Sequence, residues 1–378
     1  MLKLSKPNIS DAAIDEVVDV LRSGQLVHGK NCIRFERDLA TYLDCHEVIV
    51  VSSGTAALHL SLLALGIGEG DAVLVPDFTF PATANVVEIS GATAVIVDVE
   101  PDSYVMSPAS LSRAIANWDG PETLKAIMPV HEFGCPVDID AILSIAKTAM
   151  LAVIEDAACA LGAEHNGSKV GTLGDLGCFS FHPRKTLTTG EGGAIATNDP
   201  ELARSLCLYR DHGINRGAQG AVFEHPGLNY RLTDFQAALG RNQLADMESR
   251  IAARRKLADY YFESLTPLVA SGDVRLPMNV PGHSWQTFMT VLSAEHDRDA
   301  VIKRLRNLGV EASLGAHSIS SLGIYRNYRS AEPLPHGSLL YHRGLALPFY
   351  EQMTMGDVDC VTEALEKSLV RKMKRTAQ

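Results

Sequence analysis

This chain is organised around the stretch SFHPRKTLTTGEGG at residues 180–193, in which one lysine lies between a serine–aromatic pair and a glycine-rich turn. Upstream, Glu155 and Asp156 close an apolar run. An amine that condenses with an aldehyde must be deprotonated, so we expect Lys185 in a partly desolvated pocket that lowers its pKa. A carboxylate such as Asp156 can face a pyridinium nitrogen and keep that ring electron-withdrawing. Together with the flanking glycines, this pair predicts an enzyme that uses pyridoxal 5'-phosphate (PLP).

Length and composition set the class of protein. A chain of 378 residues predicts about two domains with a large buried core. Its hydrophobic content of 46% and charged content of 21% are typical of a globular protein. The net charge of -11 disfavours nucleic acids and anionic membranes as partners. An anionic small substrate stays possible, because arginines and helix N-termini bind phosphate even on an acidic protein.

Cysteine usage and apolar runs indicate the compartment. The seven cysteines are odd in number and lack metal-ligand spacing, which predicts reduced thiols and no metal site. The N-terminus has no apolar core of signal-peptide length, and no apolar run approaches the length of a membrane span. We therefore expect a cytoplasmic protein.

Strand and helix signals alternate between about residue 10 and residue 200. The apolar runs that predict strands are Val48–Val51, Asp71–Val75, Thr93–Val97, Ala126–Val130, Met150–Ile154 and Ala194–Thr197. The segments that predict helices between them are Thr55–Leu65, Pro81–Ile89 and Ile139–Thr148. Such alternation predicts an α/β fold with a mainly parallel central sheet and helices on both faces.

The pattern changes after Asp234. One long, charged helix is predicted from Phe235 to Leu257 and beyond. A strand at Trp285–Leu292 and helices at Ala300–Leu308 and Thr354–Lys372 follow, which indicates a smaller α+β unit. The sequence therefore predicts a large PLP-binding domain at residues 1–245 and a small C-terminal domain at residues 246–378.

The end of the strand Val48–Val51 carries candidate cofactor contacts. The segment SSGTAA at residues 52–57 opens a helix after an apolar strand, and its small residues can expose backbone N–H groups to a phosphate. The ordinary alternative is a helix whose N-cap is Ser53 or Thr55. Because the chain also carries the lysine site, Gly54 and Thr55 are assigned to the cofactor phosphate.

Aromatic and histidine side chains follow two other strand ends, where ligands collect in open α/β sheets. Phe80 is either a residue that stacks on the cofactor ring or an ordinary core phenylalanine. His131 is either a catalytic base or a residue whose hydrogen bonds are satisfied near the site, and we prefer the second interpretation.

Taken together, the motifs resemble the DegT/DnrJ/EryC1/StrS family of PLP-dependent sugar aminotransferases, which have the aspartate aminotransferase fold (fold type I). The resemblance runs through nearly the whole chain. The motifs that carry it are SGTAAL at 53–58, TFPAT at 79–83, PVH at 129–131, EDAA at 155–158, SFHxxK at 180–185, GEGG at 190–193, GxNxRL at 227–232, QAA at 236–238 and LALP at 345–348.

The resemblance implies a role for each matching residue. Lys185 would bind the cofactor covalently and move a proton between the substrate carbon and the cofactor, and Asp156 would pair with the ring nitrogen. Asn229 would reach the cofactor phosphate of a neighbouring subunit, which implies a homodimer with shared active sites. The implied cofactor-binding positions are Gly54, Thr55, Phe80, Asp156, Cys159, Ser180, Lys185 and Asn229.

Cys159 departs from the family pattern. The family often has glutamine or histidine here, which can approach the ring hydroxyl of the cofactor. A thiol is a weak hydrogen-bond partner, so the tuning of that hydroxyl is open.

The substrate-facing positions resemble one branch of the family. His182 and the turn at residues 188–193 are similar to the branch that aminates C4 of nucleotide-linked 4-keto-6-deoxy sugars. His317 and Tyr325 either face the sugar nucleotide or pack in the core. Arg231 and Arg326 either bind the diphosphate bidentately or form surface salt bridges.

The resemblance thus implies a transaminase that moves an amino group from L-glutamate to a nucleotide-diphosphate keto-sugar by ping-pong exchange, with PLP cycling through pyridoxamine 5'-phosphate. A deoxysugar dehydratase would carry histidine in place of Lys185. The alternatives are a keto-cyclitol aminotransferase, whose branch tends to have glutamine at His182, and a non-catalytic sensor or regulator on the PLP fold. Surface polysaccharide biosynthesis and antibiotic glycosylation are both compatible with the sequence.

Overall fold

The computed structural model describes residues 1–217, 220–325, 330 and 333–369. Its α-helices are α1 (Asp11–Ser23), α2 (Lys30–Leu43), α3 (Gly54–Ala64), α4 (Ala82–Ile89), α5 (Pro108–Ala116), α6 (Ile139–Ala149), α7 (Pro200–Arg210), α8 (Asp234–Leu244), α9 (Met247–Ser264), α10 (Thr266–Ala270), α11 (Arg298–Asn307), α12 (Pro335–Arg343) and α13 (Met355–Ser368). Its strands are β1 (Glu47–Val51), β2 (Asp71–Pro76), β3 (Phe78–Thr79), β4 (Thr93–Val97), β5 (Thr123–Ile127), β6 (Ala152–Asp156), β7 (Glu164–His165), β8 (Ser168–Lys169), β9 (Leu176–Ser180), β10 (Gly193–Thr197), β11 (Ile214–Gly217), β12 (Gly220–Phe223), β13 (Val274–Arg275), β14 (Phe288–Leu292), β15 (His317–Ser318) and β16 (Gly344–Leu347).

A seven-stranded sheet in the order β1-β10-β9-β6-β5-β2-β4 forms the centre of the large unit. Strand β2 runs parallel to β4 and β5, and β6 runs parallel to β5 and β9, whereas β10 is antiparallel to both of its neighbours. The prediction of a mainly parallel sheet is therefore confirmed. Because the parallel strands share one direction, β6 and β9 end at the same edge of the sheet.

Apolar residues are buried on both faces of this sheet. On one face, α3 and α4 pack Leu58, Leu60 and Val86 against strand residues such as Val75. On the other face, α2 contributes Phe35 to a second cluster. Burial on both faces is typical of parallel sheets covered by helices, and it explains why these strands are continuous apolar runs.

The smaller unit is built on the antiparallel sheet β13-β14-β16 with helices α9, α11 and α13. Its core contains Tyr261 stacked on Phe288, with ring centroids 4.8 Å apart. Helix α9 spans both units, because Ile251 packs in a core of the large unit and Tyr261 in the core of the small one. The boundary at residue 245 stays a prediction. Within the described residues, no helix is both long and apolar enough to cross a membrane.

Three predicted elements differ from the structure. The prediction of a single long helix is wrong, because α8 ends at Leu244 and α9 begins at Met247. Asp246 between them has φ of −99° and ψ of 8°, which is outside the helical region, and its carbonyl accepts the Arg250 N–H as the new helix begins. Trp285 has φ of 53°, so strand β14 begins only at Phe288. The predicted strand at residues 126–130 instead covers residues 123–127. The predicted end of the last helix at Lys372 lies outside the described residues.

Candidate active site

The predicted lysine and aspartate lie close together at one edge of the central sheet. Strand β6 ends at Asp156, which is in register with Cys178 on the neighbouring parallel strand β9. Lys185 follows β9 in a short loop, and the charges of Lys185 and Asp156 act on each other. The structure therefore brings together the two residues that the sequence paired.

Lys185 is surrounded by acidic groups. Its Nζ lies 2.9 Å from the Cys159 Sγ in a hydrogen bond. Burial lowers the pKa of Lys185, but Cys159, Glu132 and Asp156 more than offset burial, and the pKa lies above its ordinary value. The prediction of a lowered pKa is thus wrong for the chain by itself, because nearby acids favour the ammonium form.

Two hydrogen bonds fix the Asp156 carboxylate. Its Oδ2 accepts the Thr83 hydroxyl at 2.9 Å, and its Oδ1 accepts the Ala158 N–H at 3.1 Å. Burial raises the pKa of Asp156, although these bonds and the Lys185 charge act in the opposite direction. A cationic nitrogen next to this carboxylate would lower its pKa again.

A glycine brings the start of helix α3 against strand β9. A methyl group on Gly54 would lie 2.8 Å from the Ser180 Cβ, so this close approach requires glycine. Ser53 is the N-cap, and its hydroxyl accepts the Ala56 N–H. The N–H groups of Gly54 and Thr55 lie in the first turn, where a helix offers them no acceptor. The arrangement forms a small anion cradle at a helix N-terminus.

Phe80 and His317 form one wall of the site. The Phe80 ring is 67% exposed, so its alternative as an ordinary core phenylalanine is wrong. The late strand β15 pairs with β3, which aligns His317 with Thr79 and places the His317 ring centroid 6.5 Å from that of Phe80. Burial lowers the pKa of His317, which favours its neutral form.

His131 belongs to a buried network behind Asp156. Its Nδ1 accepts the Val137 N–H at 3.1 Å, so its Nε2 carries the proton that is donated to Glu155 at 2.9 Å. The Glu155 carboxylate also accepts three backbone N–H groups, from Gly171, Leu173 and Gly174. Both nitrogens of His131 are therefore engaged, which supports the interpretation of a satisfied residue over that of a catalytic base.

We expect Glu155→Gln to lower the free energy of unfolding by about 3 kcal/mol, because one partner of a buried charge network is removed. Burial raises the pKa of Glu155, but the bonds from His131, Gly171 and Gly174 outweigh burial and the net shift is downward. Because the pKa of Glu155 is lower in the folded protein than its ordinary value of 4.5, the Glu155 carboxylate stabilises the fold at pH values above 4.5. This stabilisation is lost as the pH falls through the pKa of the folded state. Urea denaturation between pH 3 and pH 8 measures this. Equal unfolding curves for both proteins at pH 7 would contradict it.

The remaining predicted residues occupy different surroundings. His182 is exposed, and its Nδ1 accepts the Arg184 N–H at 3.3 Å. Arg231 forms an ion pair with Asp211. Asn229 is exposed next to this pair, on the segment that bridges to Asp211.

Tyr325, one of the predicted substrate contacts, is a packing residue. Tyr325 is buried in the core of the large unit, and its hydroxyl donates to Asn85. This is a packing position. Arg326 lies outside the described residues.

Sequence reasoning missed two polar residues of the site. Thr83 lies within the segment that contains Phe80, but a threonine at the start of a helix carries no sign of its contact with Asp156. Glu132 lies directly after His131 and is 4% exposed, whereas a lone glutamate in a sequence usually indicates solvent. The sequence signal that could have identified Glu132 was its position at the end of a predicted strand.

Comparison with known proteins agrees with this geometry. The model of the DegT/DnrJ/EryC1/StrS aminotransferase family matches residues 7–366. GDP-perosamine synthase from Caulobacter vibrioides is 39% identical over 346 residues, which cover 90% of this chain and 91% of that protein.

Solved structures give the same result. A DegT DnrJ EryC1 StrS aminotransferase from Brucella abortus superposes with a TM-score of 0.88 at 34% identity, covering 94% of this chain and 95% of the other. A Streptococcus pneumoniae protein assigned as a sugar aminotransferase, solved in its PLP-form, superposes with a TM-score of 0.89 at 26% identity, covering 98% and 100%. The expected aspartate aminotransferase-like fold is confirmed, and this chain is a transaminase of the DegT/DnrJ/EryC1/StrS aminotransferase family.

Proposed function

We propose that this chain uses PLP to move an amino group from L-glutamate to C4 of a nucleotide-linked 4-keto-6-deoxy sugar, in two ping-pong half-reactions. One observation carries the proposal: the Lys185 amine, the Asp156 carboxylate and the cradle at Gly54 and Ser180 converge at one edge of the sheet. An amine, an acid and an anion cradle are the three groups that a phosphorylated pyridine aldehyde needs.

The residues present fit PLP. The helix α3 N-terminus, with Thr55 and Ser180 beside it, would hold the phosphate, and the close approach at Gly54 keeps that space free of a side chain. Asp156, held by Thr83 and Ala158, would face the ring nitrogen. The exposed Phe80 ring would cover one face of the pyridine. Cys159 would lie near the ring hydroxyl, since its Sγ contacts the lysine amine.

Bound PLP supplies an electron sink that stabilises negative charge on the substrate carbon. Lys185 has the proton-transfer role, because its amine carries the lysine charge that acts on Asp156, and it would take and return a proton at Nζ. Asp156 holds negative charge next to the ring nitrogen, and Thr83 orients it. Phe80 limits access of water to the reacting atoms.

The sugar acceptor is proposed from similarity and from the residues at the mouth of the site. Similarity to a GDP-perosamine synthase supports a nucleotide-linked sugar. The exposed His182 and the adjoining turn support amination at C4, and the neutral His317 next to Phe80 is the second proposed sugar contact. Arg231 could bind the diphosphate only by leaving Asp211.

A homodimer is part of this proposal. Asn229 is exposed, as expected for a residue that serves a neighbouring cofactor. The hairpin β11–β12 also exposes Val222 and Phe223, which are 58% and 70% accessible. Exposed apolar side chains of this kind are typical of surfaces that another chain covers.

The test begins with the absorbance spectrum of the purified protein with PLP, at the cofactor band at ~420 nm. Loss of that band on addition of L-glutamate would support the donor half-reaction. GDP-, UDP- and dTDP-linked 4-keto-6-deoxy sugars are then supplied as acceptors, with a keto-cyclitol in parallel, and NMR identifies the aminated carbon. A band that ignores every amino donor would contradict transamination, and amination at C3 or of the cyclitol would contradict the proposed acceptor.

We expect Gly54→Ala to weaken PLP binding by about tenfold, because the added methyl group would collide with Ser180 and displace the helix start. Titration of the apparent Kd by absorbance measures the effect. Gly356→Ala is the matched control: Gly356 also lies in the first turn of a helix, but its nearest neighbour would be 3.7 Å from the new methyl. Equal affinities of the two variants would place the phosphate elsewhere.

A further inference from the structure

Asp77 is a buried carboxyl group that lies next to the wall of the site and takes no part in the proposed reaction. It occupies the turn between β2 and β3 and is 0% exposed. Its Oδ2 accepts the Ser318 hydroxyl at 3.0 Å, and its Oδ1 accepts the Ser320 N–H at 2.8 Å. Its backbone carbonyl accepts the Ile319 N–H at 2.7 Å. One residue thus receives three hydrogen bonds from residues 318–320, although Ser318 is 241 residues away along the chain.

The late part of the chain encloses the Asp77 side chain. Ser318 is also 0% exposed, so water does not compete for its hydrogen bond. At the start of α12, a methyl group on Gly337 would collide with the Asp77 carboxyl group. A buried carboxyl group is costly unless its oxygens are hydrogen-bonded. Separation of residues 318–320 from Asp77 would therefore leave buried oxygens unsatisfied, and these bonds hold the segment firmly in place.

The His317 ring depends on this segment for its position. Its Nδ1 is buried and has no hydrogen-bond partner among the described residues. The ring packs between Phe80 and Tyr341, with centroid distances of 6.5 Å and 5.7 Å. The pairing of β15 with β3 sets the height of the ring, since His317 is in register with Thr79. The hydrogen bonds of Asp77 begin at the very next residue, so they fix the strand that carries the ring.

We propose that Asp77 is a positioning residue that holds His317 against Phe80 and thereby controls how tightly the keto-sugar acceptor is bound. It acts through residues 318–320 and, being fully buried, does not itself touch a substrate. The inference rests on the proposed function, in which His317 contacts the sugar.

The reacting groups are held independently of this anchor. Asp156 is fixed by Thr83 and Ala158, and within the described residues neither of them is hydrogen-bonded to residues 317–320. Lys185 is bonded to Cys159. Loss of the Asp77 anchor should therefore weaken binding of the acceptor and leave the L-glutamate half-reaction in place.

The first test compares the two half-reactions in the full-length, PLP-loaded protein and in Asp77→Asn. Asparagine replaces one accepting oxygen with an NH2 group, which accepts neither the Ser318 O–H nor the Ser320 N–H. We expect the KM for the 4-keto-6-deoxy nucleotide sugar to rise about tenfold with kcat unchanged, as for a contact made equally in the ground state and the transition state. The rate of the L-glutamate half-reaction should stay within about twofold, because separate sites contribute independently.

The variant His317→Ala separates positioning from a general structural effect. If Asp77 acts through His317, Asp77→Asn adds no further rise in the acceptor KM once the histidine is absent, so the two effects are not additive. Additive rises in the double variant would mean that Asp77 acts on the acceptor by another route, which contradicts the inference.

Hydrogen–deuterium exchange measures the anchor without any turnover. In Asp77→Asn, the amide hydrogens of residues 317–320 should exchange at least about tenfold faster, because the Ser320 N–H loses its acceptor and the segment opens more often. Ser318→Ala removes the hydroxyl bound to Asp77. It should raise the exchange rate and the acceptor KM in the same direction, and it decides the matter if Asp77→Asn does not fold. A wild type that aminates no keto-sugar would refute the proposed function, whereas the exchange still shows whether Asp77 anchors the wall.

Asp273→Asn is the matched control. Asp273 also accepts a serine hydroxyl, from Ser271 at 2.6 Å, and it pairs with the buried His296 at 2.8 Å. It lies directly before β13 in the small unit, so its replacement should leave the acceptor KM and the exchange of residues 317–320 unchanged. An unchanged acceptor KM in folded Asp77→Asn, an equal loss in both half-reactions, or an equal rise in Asp273→Asn would overturn the inference.

Discussion

Replacing Lys185 with alanine is expected to lower kcat for transamination by at least about 10⁴-fold. The variant loses the amine that transfers the proton at the substrate carbon, and the described residues of the site provide no second one. The Cys159 thiol that accepts its hydrogen bond has a pKa that burial raises, so it cannot replace the amine as a base at neutral pH. The absorbance change on addition of L-glutamate should disappear as well.

The control for this experiment is Lys169→Ala. Lys169 is also a lysine held by acidic partners, Glu164 and Glu248, but it lies on the hairpin β7–β8 outside the site. Its replacement should leave kcat within about twofold, since surface ion pairs contribute little. If Lys185→Ala kept more than a hundredth of the wild-type kcat, another group would have to carry the proton.

Replacing Asp156 with asparagine is expected to lower kcat by about 10³-fold, which is the cost of losing one preorganised electrostatic group. Asparagine retains the shape and can still accept the Ala158 N–H through its oxygen. It provides no negative charge for a ring nitrogen. Because burial already disfavours the Asp156 carboxylate, as its raised pKa shows, the free energy of unfolding at pH 7 should change little or increase.

Rapid-mixing measurement of the L-glutamate half-reaction gives the rate, and urea denaturation gives the stability. Thr83→Val is the companion variant, because it removes the hydroxyl that orients Asp156 and keeps the charge. It should lower kcat by about tenfold, far less than loss of the carboxylate. Equal losses in both variants would mean that orientation, and not charge, is the contribution of Asp156.

Local signals predicted the large unit well. Most strands of the central sheet are buried on both faces and appear as apolar runs, and the candidate residues follow at strand ends. Strand β5 is the exception, because it exposes Thr123 and Lys125. Lys185 and Asp156 could be paired for the same reason, since β6 and β9 are adjacent and parallel. The break between α8 and α9 was missed because aspartate is compatible with both a helix and a helix start, so Asp246 gives no clear stop signal.

Long-range contacts could not be predicted from the sequence. Glu132 is buried because residues 284–286 close over its turn, and nothing local distinguishes it from a solvated glutamate. His317 reaches Phe80 through the pairing of β15 with β3, and Ser318 binds Asp77 across a separation of 241 residues. Such pairings depend on the tertiary structure, and their residues carry no periodic signal of their own.

The pairing of β15 with β3 has a consequence for biosynthesis. During translation, the segment with Phe80 leaves the ribosome long before His317 and Ser318 are made, so the wall of the site cannot close on a nascent chain. Contacts of such high sequence separation also form slowly, because the intervening loop must first be closed. Ribosome-bound chains that stop before residue 317 should therefore expose the Asp77 carboxylate. The site becomes complete only while about the last sixth of the chain is being made.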